Sequence, residues 1–194
     1  MPRSSELSRK TGETEIDVAL NLDGSGVAAI ETGLGFLDHM LTALTKHSGF
    51  DLSVRAAGDV GIDDHHTVED VAIVLGRALD EALGDRSGIA RFGHAYAPLD
   101  ESLCRAVVDL SGRPWPEVAI PFSRPTIGDV ATENIVHFMR SLAVEARMAL
   151  HVDLIRGEND HHKAESAFKA VALALRMAVE SRGRGVPSTK GSLR

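Results

Sequence analysis

Cysteine is nearly absent from this chain, with Cys104 the single example among 194 residues. That excludes an internal disulfide framework and any thiolate-based zinc finger. Aromatic residues are 4% of the total, with one Trp and one Tyr, so Leu, Val, Ile and Ala must build the core. Positive charge is also in deficit: 21 Lys and Arg face 28 Asp and Glu, a formal net charge of −7. A nucleic-acid protein, whose affinity comes from neutralising phosphates, is therefore not expected. No run of 18 apolar residues occurs, so no membrane-spanning helix is expected. The opening segment MPRSSELSRKTGETE lacks the apolar stretch of a secretory signal, which points to the cytoplasm and a reduced Cys104. What the chain does have is nine histidines. With thiolates out of play, any metal here is held by imidazole and carboxylate.

An internal repeat organises the rest. Residues 64–79 read DHHTVEDVAIVLGRAL and residues 160–175 read DHHKAESAFKAVALAL, aligned without gaps at an offset of 96. Both carry Asp-His-His, a Glu three residues after the second His, and an Ala-Leu ending. Upstream, residues 36–44 (FLDHMLTAL) match residues 134–142 (NIVHFMRSL) through one His at an offset of 98. The chain reads as a duplication, with halves at residues 1–95 and 96–194 forming one compact unit.

Each half predicts the order β-β-α-β-α. Ile16, Val18 and Leu20 alternate on one face of a strand at residues 15–21, and Asp23-Gly24 suggests a hairpin into a second strand at 27–31. A helix is predicted at 34–46 and a strand at 50–57, and Asp64 is placed to cap the next helix. There Val68, Val71, Ala72, Leu75, Ala78, Leu79 and Leu83 follow a helical period. The second half predicts strands at 102–110, 117–122 and 151–156, with helices at 129–148 and 161–180. This is an α+β architecture with sheets covered by helices on one side. The stretch 182–194 (RGRGVPSTKGSLR) reads as irregular.

Adjacent residues on a helix diverge by about 100°, while residues three or four apart share a face. Glu69 can therefore share a site with His65 or His66, but the two imidazoles point different ways. The same holds for His161, His162 and Glu165. Such a pair suits two ions better than one. With His39 and His137 added, each half offers three imidazoles and one carboxylate. Eight ligands over two ions leave open positions in an octahedral shell, the mark of a catalytic site. By chance an Asp-His-His with Glu at that spacing is expected about 0.002 times in such a chain, yet it occurs twice in register. Mixed imidazole and carboxylate ligands favour Mn, Fe, Co or Zn over Mg or Ca.

The segments GLGFLDHMLTALTKHSGFDL, GDVGIDDHHTVEDVAIVLGRAL, SGRP, GENDHHKAESAFKA and VPSTKG together resemble the imidazoleglycerol-phosphate dehydratase family, in order and over nearly the whole chain. The resemblance implies a duplicated fold of the ribosomal protein S5 domain 2-like kind. It implies a homo-oligomer of 24 subunits built from trimers, with two Mn(2+) per active site and sites formed between subunits. The activity it implies is the hydro-lyase step of histidine biosynthesis that converts imidazole glycerol phosphate to imidazole acetol phosphate. No further phosphatase domain is expected.

Carried onto this sequence, the family's metal ligands fall on His39, His65, His66, Glu69, His137, His161, His162 and Glu165; how they divide between two ions stays open. Its substrate-binding positions fall on Glu13, His39, His47, Arg91, Arg113, Lys169, Ser188 and Lys190, with residues 186–190 expected to order over the substrate. The expected catalytic set is Glu13 as general base together with His65, His66, Glu69, His161, His162 and Glu165; Asp100 and Glu101 are weaker candidates for the base. Two other classes fit less well. Manganese phosphoesterases with an Asp-His-His motif carry it once beside Asp-rich motifs absent here. A metal-storage or scaffold protein has no use for the phosphate-binding set.

Overall fold

The alternation of Ile16, Val18 and Leu20 does mark an inward face: all three are buried. They lie on one of two sheets in the computed structural model, which describes residues 3–183 and, in the tail, 185, 186, 188, 189, 191 and 193. The first half runs β1 (Ser4–Lys10), β2 (Thr14–Asn21), β3 (Ala28–Glu31), α1 (Gly35–Ser48), β4 (Asp51–Gly58) and α2 (His65–Leu83). The second runs β5 (Phe92–Leu99), β6 (Ser102–Asp109), β7 (Trp115–Ala119), a two-residue pair β8 (Thr126–Ile127) and β9 (Val130–Ala131), α3 (Thr132–Glu145), β10 (Ala149–Arg156) and α4 (Asp160–Ala178).

The sheets have orders β1-β2-β4-β3 and β5-β6-β10-β7, and β3 and β7 are parallel to their neighbours β4 and β10. The two halves thus share one topology. Helix α2 packs on β1 and β2, and α4 on β5 and β6; across the halves α1 packs on α4 and α2 on α3. Helices form the inner layers and sheets the outer ones. All seven apolar positions assigned to the inner face of α2, from Val68 to Leu83, are buried. Among the described residues no helix is long and apolar enough to cross a membrane.

Each half contains the expected β-β-α-β-α order with one further strand at its start, and the second half adds the short β8–β9 pair before α3. In β1 only Ser5 is fully buried, so this polar edge strand carries no apolar alternation to read. Its counterpart β5 crosses the division expected at residues 95/96 and pairs with β6 from Phe92, so the second half starts before residue 96. Finally, β2 and β3 are not a hairpin. Asp51 at the start of β4 accepts the backbone N–H groups of Ser25 (2.8 Å) and Val27 (2.9 Å), which carries the chain past β2 to lie parallel to β4.

Gly76 sets the approach of α2 to α3. A Cβ there would stand 2.7 Å from Glu145 Cβ and 2.9 Å from the Leu142 carbonyl oxygen. Alanine would gain about 1 kcal/mol of helix propensity. Overpacking at the crossing costs about 1–3 kcal/mol, which outweighs it. Gly76→Ala should therefore lower Tm by several degrees in thermal unfolding. An unchanged or raised Tm would show that the two helices separate at no cost.

Candidate metal centres

Both Asp-His-His motifs open a helix, and Asp64 holds the N-cap position of α2, but neither motif aspartate makes the side-chain capping bond. At α2 the N–H of His65 is accepted by Asp63 Oδ1 (2.9 Å), and at α4 the N–H of His161 by Asn159 Oδ1 (2.9 Å). The motif aspartates are braces instead. Asp64 accepts the Ala131 N–H (2.8 Å) at the start of α3, and Asp160 accepts those of Ser123 (2.8 Å) and Arg124 (2.6 Å). Asp160 also pairs with buried Lys163 at 2.7 Å. A further acid works across the halves: Asp129 accepts the N–H groups of Gly35 (2.6 Å) and Phe36 (3.0 Å), which fixes the N-terminus of α1. These braces hold the histidine-bearing helix starts against one another.

The result, among the described residues, is two clusters, each drawing on both halves. His39 of α1 meets His161 and Glu165 of α4, with His39 Nε2 at 3.1 Å and His161 Nε2 at 3.2 Å from Glu165 Oε2. His65 and Glu69 of α2 meet His137 of α3, whose Nε2 lies 2.8 Å from Glu69 Oε1; His65 Nε2 is 4.0 Å from Glu69 Oε2. Within each trio the candidate ligand atoms all lie within 4.8 Å of one another. Two imidazoles and a carboxylate converging this closely on a half-open surface fit a divalent ion of the borderline class. His65 Nδ1 stands 3.0 Å from Oδ1 of buried Asn134, so an Nδ1–H donated there leaves the Nε2 lone pair facing Glu69. The rings of His65 and His137 stack at 5.1 Å, while Phe36 sets its ring against His161 at 5.3 Å.

The clusters differ in charge. Lys169 Nζ lies 2.6 Å from Glu165 Oε1, and the corresponding position after Glu69 is Ile73. Burial opposes ionisation of Glu165, but the hydrogen bonds from Lys169 and His39 outweigh it and hold the carboxyl at about 2. His47 belongs to this surroundings too. Burial lowers its pKa and the Lys169 charge adds to that, with Glu165 opposing.

His66 and His162 stand outside both clusters, as the divergence of adjacent helical residues requires. His66 Nδ1 lies 3.0 Å from Asp59 Oδ2 and 3.8 Å from Glu13 Oε2, and the Asp59 hydrogen bond raises its pKa. His162 Nδ1 lies 2.7 Å from Glu101 Oε2. Glu13 occupies the β1–β2 turn with its side chain 58% exposed. Thr11 Oγ1 accepts the backbone N–H groups of Glu13 (3.1 Å) and Thr14 (3.0 Å), and buried Asp70 of α2 takes both Thr14 Oγ1 and Arg9. The backbone under Glu13 is thereby fixed to the helix that carries His66.

The remaining expected substrate residues are not gathered here. Arg91 forms a two-point ion pair with Asp109 (2.6 and 3.0 Å) and lies over the Phe92 ring. Arg113 is exposed in the turn before β7, where Ser111 Oγ accepts its N–H at 3.3 Å. The Ser188 carbonyl accepts the Gly191 N–H at 3.1 Å in a turn of the tail. Lys190 lies outside the described residues. Asp59, Asn134 and Asp70 escaped the sequence reading because their role is contact with another element; the position of Asp59, just before a motif helix, was the one available signal.

The family model described as imidazoleglycerol-phosphate dehydratase matches residues 32–175. A protein of that name from Salinibacter ruber is 54% identical over 194 residues, covering 99% of this chain and 96% of its own length. Another from Phytophthora nicotianae is 56% identical over 192 residues, 98% of this chain, and there the chain spans 42% of the relative's length. The crystal structure of imidazoleglycerol-phosphate dehydratase from Staphylococcus aureus superposes with a TM-score of 0.83 at 39% identity, covering 92% of this chain and 99% of that one. This chain belongs to the imidazoleglycerol-phosphate dehydratase family, hydro-lyases of histidine biosynthesis.

Proposed function

We propose that the chain converts imidazole glycerol phosphate to imidazole acetol phosphate with two Mn(2+) ions per active site. The observation that carries the reading is the pair of convergent His-His-Glu trios, of which, among the described residues, one is joined by a lysine. A bound divalent ion supplies Lewis-acid stabilisation of negative charge on the ring nitrogens of the substrate. The chain's own groups do the rest. His39, His161 and Glu165 form one half-site, and His65, Glu69 and His137 the other. Lys169 presents a cation beside the first, on the side where the substrate phosphate is bound. His47 belongs to the same edge. Glu13 accepts the proton from the carbon next to the one that loses hydroxide, and the resulting enol becomes the ketone.

His66 and His162 face away from the trios of their own chain. A homo-oligomer of 24 subunits, in which they complete a neighbour's sites, gives both a use. Arg91, Arg113, Ser188 and Lys190 then act as phosphate ligands in sites shared between chains. A buried, reduced Cys104 fits a cytoplasmic location. The test is formation of acetol phosphate from substrate with Mn(2+), its loss on chelation and its return with metal. Light scattering on the same samples should show the particle shrinking once metal is removed. Absence of product with full metal loading would favour metal storage, and an unchanged particle after metal removal would place the subunit contacts elsewhere.

A further inference from the structure

The two outlying histidines share a device that the metal trios do not. Each presents Nδ1 to a carboxylate from outside its own helix. For His162 the partner is Glu101 in the β5–β6 turn, at 2.7 Å. For His66 it is Asp59, which follows β4, with Oδ2 at 3.0 Å and Oδ1 at 3.2 Å. An Nδ1–H donated to a carboxylate fixes the tautomer, turns the ring and leaves the Nε2 lone pair for a ligand. Asp100 Oδ2 stands 3.7 Å from His162 Nε2, beyond hydrogen-bond distance, and among the described residues no hydrogen bond is made at that nitrogen.

Glu101 is held more firmly than Asp59. Its Oε1 accepts the backbone N–H groups of Glu158 (3.1 Å) and Asn159 (2.8 Å) and faces Ser102 Oγ at 3.1 Å, leaving Oε2 for His162. The turn that carries it is the counterpart of the β1–β2 turn that carries Glu13. The duplicated turns have thus diverged. In the first half the acid is exposed and stands 3.8 Å from His66, while Asp59 makes the hydrogen bond. In the second the acid itself is tied to the start of α4 and to the histidine.

We infer that Asp59 and Glu101 are positioning residues that set His66 and His162 in the tautomer and orientation needed to ligate metal, and that Glu101 is thereby removed from the role of general base. The inference rests on the reading of His66 and His162 as ligands. Geometry makes the isosteric changes unequal. In Glu101→Gln the amide oxygen stays with its two backbone donors, so the NH₂ group meets His162 Nδ1 and drives the proton to Nε2. Among the described residues nothing comparable pins Asp59, so in Asp59→Asn the amide turns its oxygen to the ring and the hydrogen bond survives.

Calorimetric titration of metal-free full-length protein with Mn(2+) alone separates the possibilities. Glu101→Gln and Asp59→Ala should each bind about 10–100-fold more weakly than wild type, and Asp59→Asn within a few-fold of it. Turnover of the two weak binders should return toward wild type with excess Mn(2+), with KM preserved, and the metal-free variants should melt within a few degrees of wild type. A general base would behave otherwise, since its loss is not repaired by metal. Wild-type Mn(2+) affinity in both Glu101→Gln and Asp59→Ala overturns the inference alone. Failure of the wild-type protein to bind Mn(2+) overturns the metal reading, and the inference with it. If Glu101→Gln does not fold, Asp59→Ala against Asp59→Asn decides on the same criteria.

Discussion

Glu13→Gln should lower kcat by about 10²–10⁴-fold while leaving KM and Mn(2+) affinity close to wild type. The proton that leaves the substrate is on carbon and needs a base held at fixed distance. Glu13 has the right kind of setting: its backbone is anchored through Thr11 and Thr14, and Thr14 and Arg9 are tied to Asp70 of α2. Its side chain, 58% exposed, has no carboxylate-to-backbone bond among those of the described residues to hold it away from a ligand. Glutamine keeps the shape and the hydrogen-bonding reach but has no basic oxygen. A fall in kcat alone therefore reports proton transfer, whereas a matching rise in KM would report binding. Steady-state kinetics at saturating Mn(2+) make the distinction, and turnover within a few-fold of wild type would take Glu13 out of the mechanism.

The contrast between Glu13 and Glu101 shows where sequence reading stops. The repeated Asp-His-His-x-x-Glu was legible because residue types and helical spacing are local properties. The apolar stripe of α2 was legible for the same reason, and every position in it is buried. Which half supplies which ligand was not. His39 belongs with Glu165, 126 residues away, and His137 with Glu69, 68 residues away, because α1 packs on α4 and α2 on α3. Crossings of that kind depend on tertiary contacts such as the close approach at Gly76, which leave no periodic trace. Strand β1 leaves no such trace either, since SSELSRK carries Leu7 as its single apolar residue and so shows no apolar alternation. The motif aspartates mislead in a different way. A helix-initial Asp reads as a cap, but a neighbour on the N-terminal side can take the capping bond and free it to reach another segment.

Glu165→Gln should be the most damaging change at either trio, with kcat/KM reduced on the order of 10³-fold, several kcal/mol in transition-state terms. One carboxylate here joins four groups: His39 and His161 on Oε2, Lys169 on Oε1, and any ion held between them. With its carboxyl at about 2, Glu165 stays ionised through the physiological range, and its contribution is lost only as pH falls toward that value. Glutamine removes the anion and leaves the Lys169 ammonium facing a cation across a half-buried gap, an arrangement that like charge disfavours. Metal content should fall by roughly half, because the second trio has its own carboxylate. Glu69→Gln supplies the comparison. Its trio has Ile73 where the other has Lys169, so it should lose metal and kcat without a rise in KM, while Glu165→Gln should raise KM as well because Lys169 is displaced. Equal KM values for the two variants, measured at metal saturation, would mean that Lys169 acts on the carboxylate alone and has no part in holding the phosphate.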